Sequence, residues 1–199
     1  MKALTKLTYI FRLAALLVLT TFAAQAQQTD NTAATPNPVN ADRGYLVKVG
    51  DQAPDDFELV LQNGHKTSLK QLRGKVVVLQ FTASWCSVCR KEMPHLETDV
   101  WKAYRNKNVV LIGIDRDEPL EKVQKFHHDM QITYPLALDP GADIFGRFAN
   151  KKSGVTRNVV IDESGKIVFL TRLYDDKEFN QMVQVISSLA SPAALKASL

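Results

Sequence analysis

A chain of 199 residues with 45% hydrophobic side chains can bury one substantial core, so a single domain is the starting expectation. Lys2, Lys6 and Arg12 supply +3 of the formal +4 charge before any acid occurs, which leaves 4 − 3 = +1 for the chain after residue 26. A balance so close to neutral removes the electrostatic ground for a nucleic-acid partner.

Residues 1–26 read as an export signal. The three cations precede the apolar run Leu13–Ala24, and "AQA" at Ala24–Ala26 is a small-x-small cleavage site, with cleavage expected before Gln27. The apolar run has 12 residues, well short of the ~20 that a spanning helix needs. Hence no stable membrane insertion is expected after cleavage. No cysteine lies near the cleavage site to carry a lipid. Residues 27–44, "QQTDNTAATPNPVNADRG", are too poor in apolar groups to order themselves and read as a linker. The folded domain is expected over 45–190, with a frayed tail over 191–199 after the break marked by Pro192.

Within the domain, "FELVLQNGHKTSL" places Asn63-Gly64 between two short extended runs, a hairpin signal. "KVVVLQFTA" reads as a strand buried on both faces and ends at the cysteines. A helix follows over "SVCRKEMPHLETDVWKAYRNK", with Val88, Met93, Leu96, Val100 and Tyr104 near one side. "VVLIGID" is a second buried strand. Pro119–Met130 is a helix with Asp117 as its N-cap and Leu120, Val123 and Phe126 turned inward. The extended "YPLAL", a helical turn at "ADIFGRF", the strand pair "VTRNVVID" and "KIVFLTR", and a helix over about 175–189 complete the order. That alternation describes an α/β sandwich around a mixed sheet.

The chemistry concentrates in "FTASWCSVCRKEMP", which holds both cysteines, Cys86 and Cys89. As a scaffold staple the pair closes so short a loop that the gain is only about 2 kcal/mol. Haem attachment needs a histidine directly after the second cysteine, where Arg90 stands. A closed zinc site needs four ligands, and His65, His95, His127 and His128 have no zinc-like spacing to the pair. No metal and no cofactor is therefore expected. Redox exchange survives. Cys86, where strand gives way to helix, meets free N–H groups and the helix dipole, which favour its thiolate. Cys89, three residues on, is placed to attack a mixed disulfide formed at Cys86.

These residues resemble the active-site signature of the thioredoxin superfamily, in particular its exported TlpA/ResA-like thiol–disulfide oxidoreductases. The resemblance extends over about 47–189, through "VGDQAPDDFEL", "YPLALDP" and "VVIDESGKIV". It implies a thioredoxin-like α/β fold: a mixed sheet between helices, with an N-terminal β-hairpin and a central helical insertion. By the same resemblance Cys86 attacks and Cys89 resolves, Trp85 borders the active site, Pro94 kinks the helix and Glu92 handles protons. It also implies protein disulfides as substrates, apocytochrome c among them, a membrane thiol reductase as electron donor, and a periplasmic location in a Gram-negative source.

Two positions depart from the family pattern. A buried aspartate common in thioredoxins is here Gln80, which can hydrogen-bond but cannot act as a base. The active-site cis-proline falls on Thr156, in the loop that pairs with substrate backbone next to Val155. Either Val155–Thr156 is cis, at ~3–4 kcal/mol, or the loop is trans and shaped differently.

Two rivals use the same residues. A peroxiredoxin shares the fold, and "GVTRN" puts Arg157 near the cysteines. Its P-x-x-x-[ST]-x-x-C signature, however, meets Leu79 and Ala83 here. A binding protein with a thioredoxin-like cleft would need no resolving thiol. The acidic run Asp115, Asp117 and Glu118, interspersed with Arg116, is expected to be a solvated turn rather than a cation site.

Overall fold

The computed structural model describes residues 43–190. In chain order the elements are β1 (Leu59–Leu61), β2 (Lys66–Thr67), β3 (Val76–Thr82), α1 (Ser87–His95), β4 (Val109–Arg116), α2 (Leu120–Asp129), β5 (Leu136–Asp139), α3 (Phe145–Phe148), β6 (Arg157–Ile161), β7 (Ile167–Leu170) and α4 (Asp176–Leu189). The strands form one seven-stranded mixed sheet of order β2-β1-β5-β4-β3-β6-β7. β3, β4 and β5 run parallel, while β6 and β7 return antiparallel on one side and the β1–β2 hairpin on the other.

Every residue of β3 is buried, as its β-branched, two-sided apolar run requires. Alternation along the strands divides the core in two. Val77, Leu79 and Phe81 face one side with Ile112, Ile114 and Val159, where Phe81 packs against Phe145 and Phe148 at ring separations of 5.4 and 5.3 Å. Val76, Val78, Leu111 and Val160 face the other side, covered by Met93 of α1, Val123 and Phe126 of α2, and Phe179, Met182 and Ile186 of α4. The hairpin and the helix inserted between β4 and β5 are where the sequence placed them. Gly64 makes the hairpin turn at φ 85°, and the Asn63 side chain accepts the His65 N–H at 3.0 Å.

Pro94 lies inside α1 and, having no N–H, leaves the Arg90 carbonyl without its helical donor. The helix then widens into π-helical turns over Leu96–Lys102.

Three expectations are corrected. Asp117 does not cap α2: its backbone is left-handed at φ 63°, its side chain accepts from Gly141 N–H, and the cap position is Pro119. Leu120 is exposed rather than inward: it is the first residue of α2, and of the three only Val123 and Phe126 are buried. Arg43 and Gly44, assigned to the linker, are anchored. Arg43 is paired with Glu178 at 2.7 Å, and the Gly44 carbonyl accepts from Asn150 at 2.9 Å. The signal, residues 27–42 of the linker and the tail over 191–199 lie outside the described residues. None of the described helices is long and apolar enough to cross a membrane.

Candidate active site

β3 ends at Thr82, and four residues later Cys86 is the N-cap of α1, its sulfur accepting the Cys89 N–H at 3.2 Å. The two cysteines are joined as a disulfide, with Cα atoms 5.3 Å apart. Their exposures differ: Cys86 is 8% exposed and Cys89 is fully buried. Trp85, directly before them, is 62% exposed, a large apolar surface beside the less buried of the two cysteines.

No described peptide bond is cis, so the loop before β6 is of the trans kind. It nonetheless brings Thr156 to the disulfide. The Thr156 hydroxyl oxygen is 3.1 Å from the Cys86 sulfur and 3.2 Å from the Cys89 sulfur. Disulfide sulfurs carry no proton, so the hydroxyl is the donor here. The Thr156 carbonyl is held by the Leu173 N–H at 3.1 Å and the Arg172 guanidinium at 3.2 Å. Val155 is buried, and its own N–H and carbonyl make no backbone hydrogen bond among the described residues.

Beneath the disulfide lies a buried polar chain. Glu92, less than one turn after Cys89, is 1% exposed, so it is not a solvated helix residue. It accepts from the Asn158 amide at 2.6 Å and the Gln80 amide at 3.4 Å. Gln80 in turn accepts the Tyr134 hydroxyl at 2.7 Å, and Asn158 donates to Thr171 at 2.9 Å. Burial pushes the Glu92 carboxyl up to about 7, and the two amide donors only partly offset it. The register that makes this possible pairs Gln80 with Gly113 on one side and Asn158 on the other. Gly113 is required there, since a Cβ would run into Leu136 and crowd both Gln80 and Tyr134.

The acidic run is not a solvated turn. Asp115 is fully buried and Glu118 is 6% exposed; only Asp117 remains at the surface of that turn. The reason is that β4 runs on to Arg116, which carries Asp115 into the sheet opposite Thr82. The Glu118 carboxylate accepts both the N–H and the hydroxyl of Ser84, at 2.5 and 2.7 Å. Among the described residues no group of three or more His, Cys, Asp or Glu side chains is arranged to hold a metal ion. His128 is exposed, and His127 is half-buried with a ring nitrogen 3.1 Å from the Tyr134 carbonyl.

Arg157 is turned away from the sulfurs. Its guanidinium lies 4.6 Å from the Tyr45 ring centre and 5.1 Å from that of Phe145, and it donates to Ser153 and to the Gly154 carbonyl. Burial lowers its pKa to about 10, which leaves it charged at neutral pH.

The structure thus gathers Cys86, Cys89, Trp85, Thr156 and Val155 at the disulfide, and Gln80 and Glu92 below it. Asn158, Tyr134 and Thr171 were not foreseen from the sequence. The available signal was an amide beside the apolar run of each of two strands, Gln80 in β3 and Asn158 in β6.

A helix-capping disulfide beside an exposed tryptophan, on this sheet, defines a thioredoxin-like thiol–disulfide oxidoreductase. The chain belongs to the AhpC/TSA family, whose model matches residues 49–170. It is 57% identical to a candidate protein disulfide isomerase of known structure from Bacteroides thetaiotaomicron, over 74% of this chain and 92% of that one, with a TM-score of 0.72. The thiol-disulfide oxidoreductase ResA of Bacillus cereus is 34% identical over 122 residues, 61% of this chain and 68% of that protein. A candidate thiol:disulfide interchange protein DsbE from Chlorobium tepidum is 25% identical over 73% of this chain and 99% of its own, with a TM-score of 0.63.

Proposed function

We propose that the chain is exported and reduces protein disulfides, with Cys86 as the attacking thiol and Cys89 as the resolving one. The observation that carries this reading is the helix-capping disulfide itself, in which Cys86 caps the helix and keeps 8% exposure while Cys89 is fully buried. In the reduced enzyme the Cys86 thiolate, favoured by the helix N-terminus, attacks one sulfur of a substrate disulfide and releases the other as a thiol. Cys89 then loses its proton and attacks the Cys86 sulfur. The second substrate thiol leaves, and the Cys86–Cys89 disulfide remains. Two electrons have passed from the enzyme to the substrate.

Glu92 is suited to the Cys89 proton, because a carboxyl held near 7 can take a proton and return it at neutral pH. Gln80 keeps its oxygens in place, a structural part rather than a basic one. Pro94 sets the change of helix pitch behind them. Trp85 offers the docking surface, and the unpaired backbone of Val155, with Thr156 beside it, receives the substrate chain. Ser87 and Val88 between the cysteines are neither cationic nor histidine, which favours a reductant over an oxidant.

A membrane thiol reductase would return the electrons, and apocytochrome c is a substrate of the right chemistry. Export through residues 1–26 places the enzyme in the periplasm if the source is Gram-negative. A peroxidase reading finds no support at Arg157, whose contacts are with Tyr45, Phe145, Ser153 and Gly154.

The test is the equilibrium reduction potential of the pair. A value near ~−270 mV fits a reductant, and one near ~−120 mV would make the protein an oxidant and reverse the proposed cycle. Cys89→Ser should trap a mixed disulfide through Cys86. Trapping instead through Cys89 in a Cys86→Ser chain would exchange the two roles.

A further inference from the structure

The acids at the end of β4 take no part in that cycle, yet they are buried close to it. Asp115 is fully buried, and neither of its carboxyl oxygens has a hydrogen-bond partner. The groups around it offer no compensating donor. From β3 it faces Thr82, which carries no charge and whose hydroxyl is directed to the Met93 sulfur at 3.8 Å. On the α2 side stand Glu118 and Lys122, but the Lys122 ammonium is committed to Glu118 at 2.8 Å. On the β5 side Asp139 is acidic too, and its oxygens are taken by the N–H groups of Ile144 and Phe145. From α1, Arg90 lies over the Phe126 ring and reaches the Ser84 carbonyl.

A second carboxylate beside Glu118, in a buried place without a donor, is strongly disfavoured; such a pair holds one proton and titrates as a unit. The directions agree with this. Burial and the Glu118 charge push Asp115 up to about 8, whereas Glu118 is lowered by Lys122 and Ser84 against its own burial. A protonated Asp115 also gains a donor, and the neighbouring Glu118 carboxylate is an acceptor for it.

We infer that Asp115 is a positioning residue: as a neutral acid it shares its proton with the Glu118 carboxylate, which grips Ser84 and thereby sets the loop that carries Cys86. Ser84 stands two residues before Cys86, whose own N–H is bonded to the Ala83 carbonyl at 3.0 Å. Loss of the proton places a second buried negative charge against that grip, which loosens the loop and opposes the Cys86 thiolate. The inference rests on Cys86 being the attacking thiol.

The test follows alkylation of the reduced full-length protein by iodoacetamide from pH 5.5 to 9.5, with the labelled cysteine identified by mass spectrometry. In the native chain the rate at Cys86 should show a second inflection near pH 8. Normalised at pH 6.5, it should fall at pH 9 roughly threefold below that of Asp115→Asn, the effect of one partly screened charge. Asp115→Asn should follow a single-proton curve. Glu118→Gln keeps an oxygen for Ser84 but removes the charge, so it should move the inflection to lower pH. Thermal unfolding gives an independent reading, because the melting temperature of Asp115→Asn relative to native should rise from pH 5 to pH 9. Superimposed Cys86 curves would overturn the inference whether or not the melting temperatures diverge. Labelling at Cys89 instead of Cys86 would overturn the proposed roles of the thiols, a separate result.

Discussion

Replacing Glu92 by Gln should make the protein more stable above neutral pH and slower as an enzyme. The carboxyl is raised from 4.5 to about 7 by burial. The folded state therefore holds a proton that the unfolded state has released between those two values. Stability is fully present below about pH 4.5 and is lost as pH rises through 7. At 1.36 kcal/mol per pKa unit, the ionised carboxylate costs about 3 kcal/mol once both states have lost the proton. Gln carries no such penalty, but its amide meets the Asn158 and Gln80 donors. Gln80 can flip to present its oxygen, since the Tyr134 hydroxyl can then accept instead of donate. The gain at pH 8.5 is thus ~1–3 kcal/mol, and little or nothing at pH 4. For a domain of this size that is roughly 2–12 °C in melting temperature. Calorimetry of both proteins from pH 4 to 8.5 reads the difference directly. Turnover of a protein disulfide should fall by at least ~10²-fold at neutral pH if Glu92 moves the Cys89 proton. A melting-temperature difference that does not change with pH would show that Glu92 is not a buried acid with a raised pKa, and the reasoning would fail at its first step.

Thr156→Val keeps the shape of the side chain and removes the hydroxyl shared by the two sulfurs. At ~0.5–1.5 kcal/mol for the lost bond to the thiolate, Cys86 alkylation at pH 7 should slow by up to about tenfold; an unchanged rate would separate the hydroxyl from the chemistry. Leu173 is held in the left-handed region at φ 65° with half its side chain exposed, a conformation that costs a non-glycine residue ~1 kcal/mol. Leu173→Gly should therefore raise the urea midpoint, and a lower midpoint would mean that the exposed side chain packs better than its exposure implies.

Periodicity was enough to order the strands and helices, because β3 and β4 are continuous apolar runs and α4 keeps a regular inward stripe. Redox exchange was legible from the residues around the pair, since haem attachment lacks its histidine, a closed zinc site its ligand spacing and a peroxiredoxin its proline and hydroxyl. The misreadings cluster at the end of β4. Asp115 closes the expected strand, yet Arg116 interspersed among the acids makes the run look like a solvated turn; the strand continues to Arg116, and Asp115 falls on the same side of the sheet as Gly113 and Leu111. Asp117 looks like a cap, but its N–H is needed by the Asp139 carbonyl at 2.9 Å, and that bond turns its backbone left-handed. The burial of Glu92 is not legible in the sequence for a different reason. Its position relative to Cys89 is local, whereas its burial depends on amides from β3 and β6 that are adjacent only in the folded sheet.

The alternation of β6 decides more of the chemistry than any single residue in it. Asn158 reaches Glu92, so Thr156, two residues earlier, projects to the same side and meets the sulfurs. A two-residue step along a strand is about 6.6 Å, and the three-residue step from Cys89 to Glu92 along a helix is about 4.5 Å. The two steps are close enough for one strand to serve both the disulfide and the acid beneath it. Arg157 lies between them and must face the other way, into the core with Tyr45 and Phe145. A slip of one residue in the pairing of Gln80 with Asn158 would exchange these roles. It would bring a cation toward the sulfurs, remove the amide from Glu92, and bury Asn158 among the aromatic rings. The register of β6 therefore sets a neutral hydroxyl, rather than an arginine, against the two sulfurs.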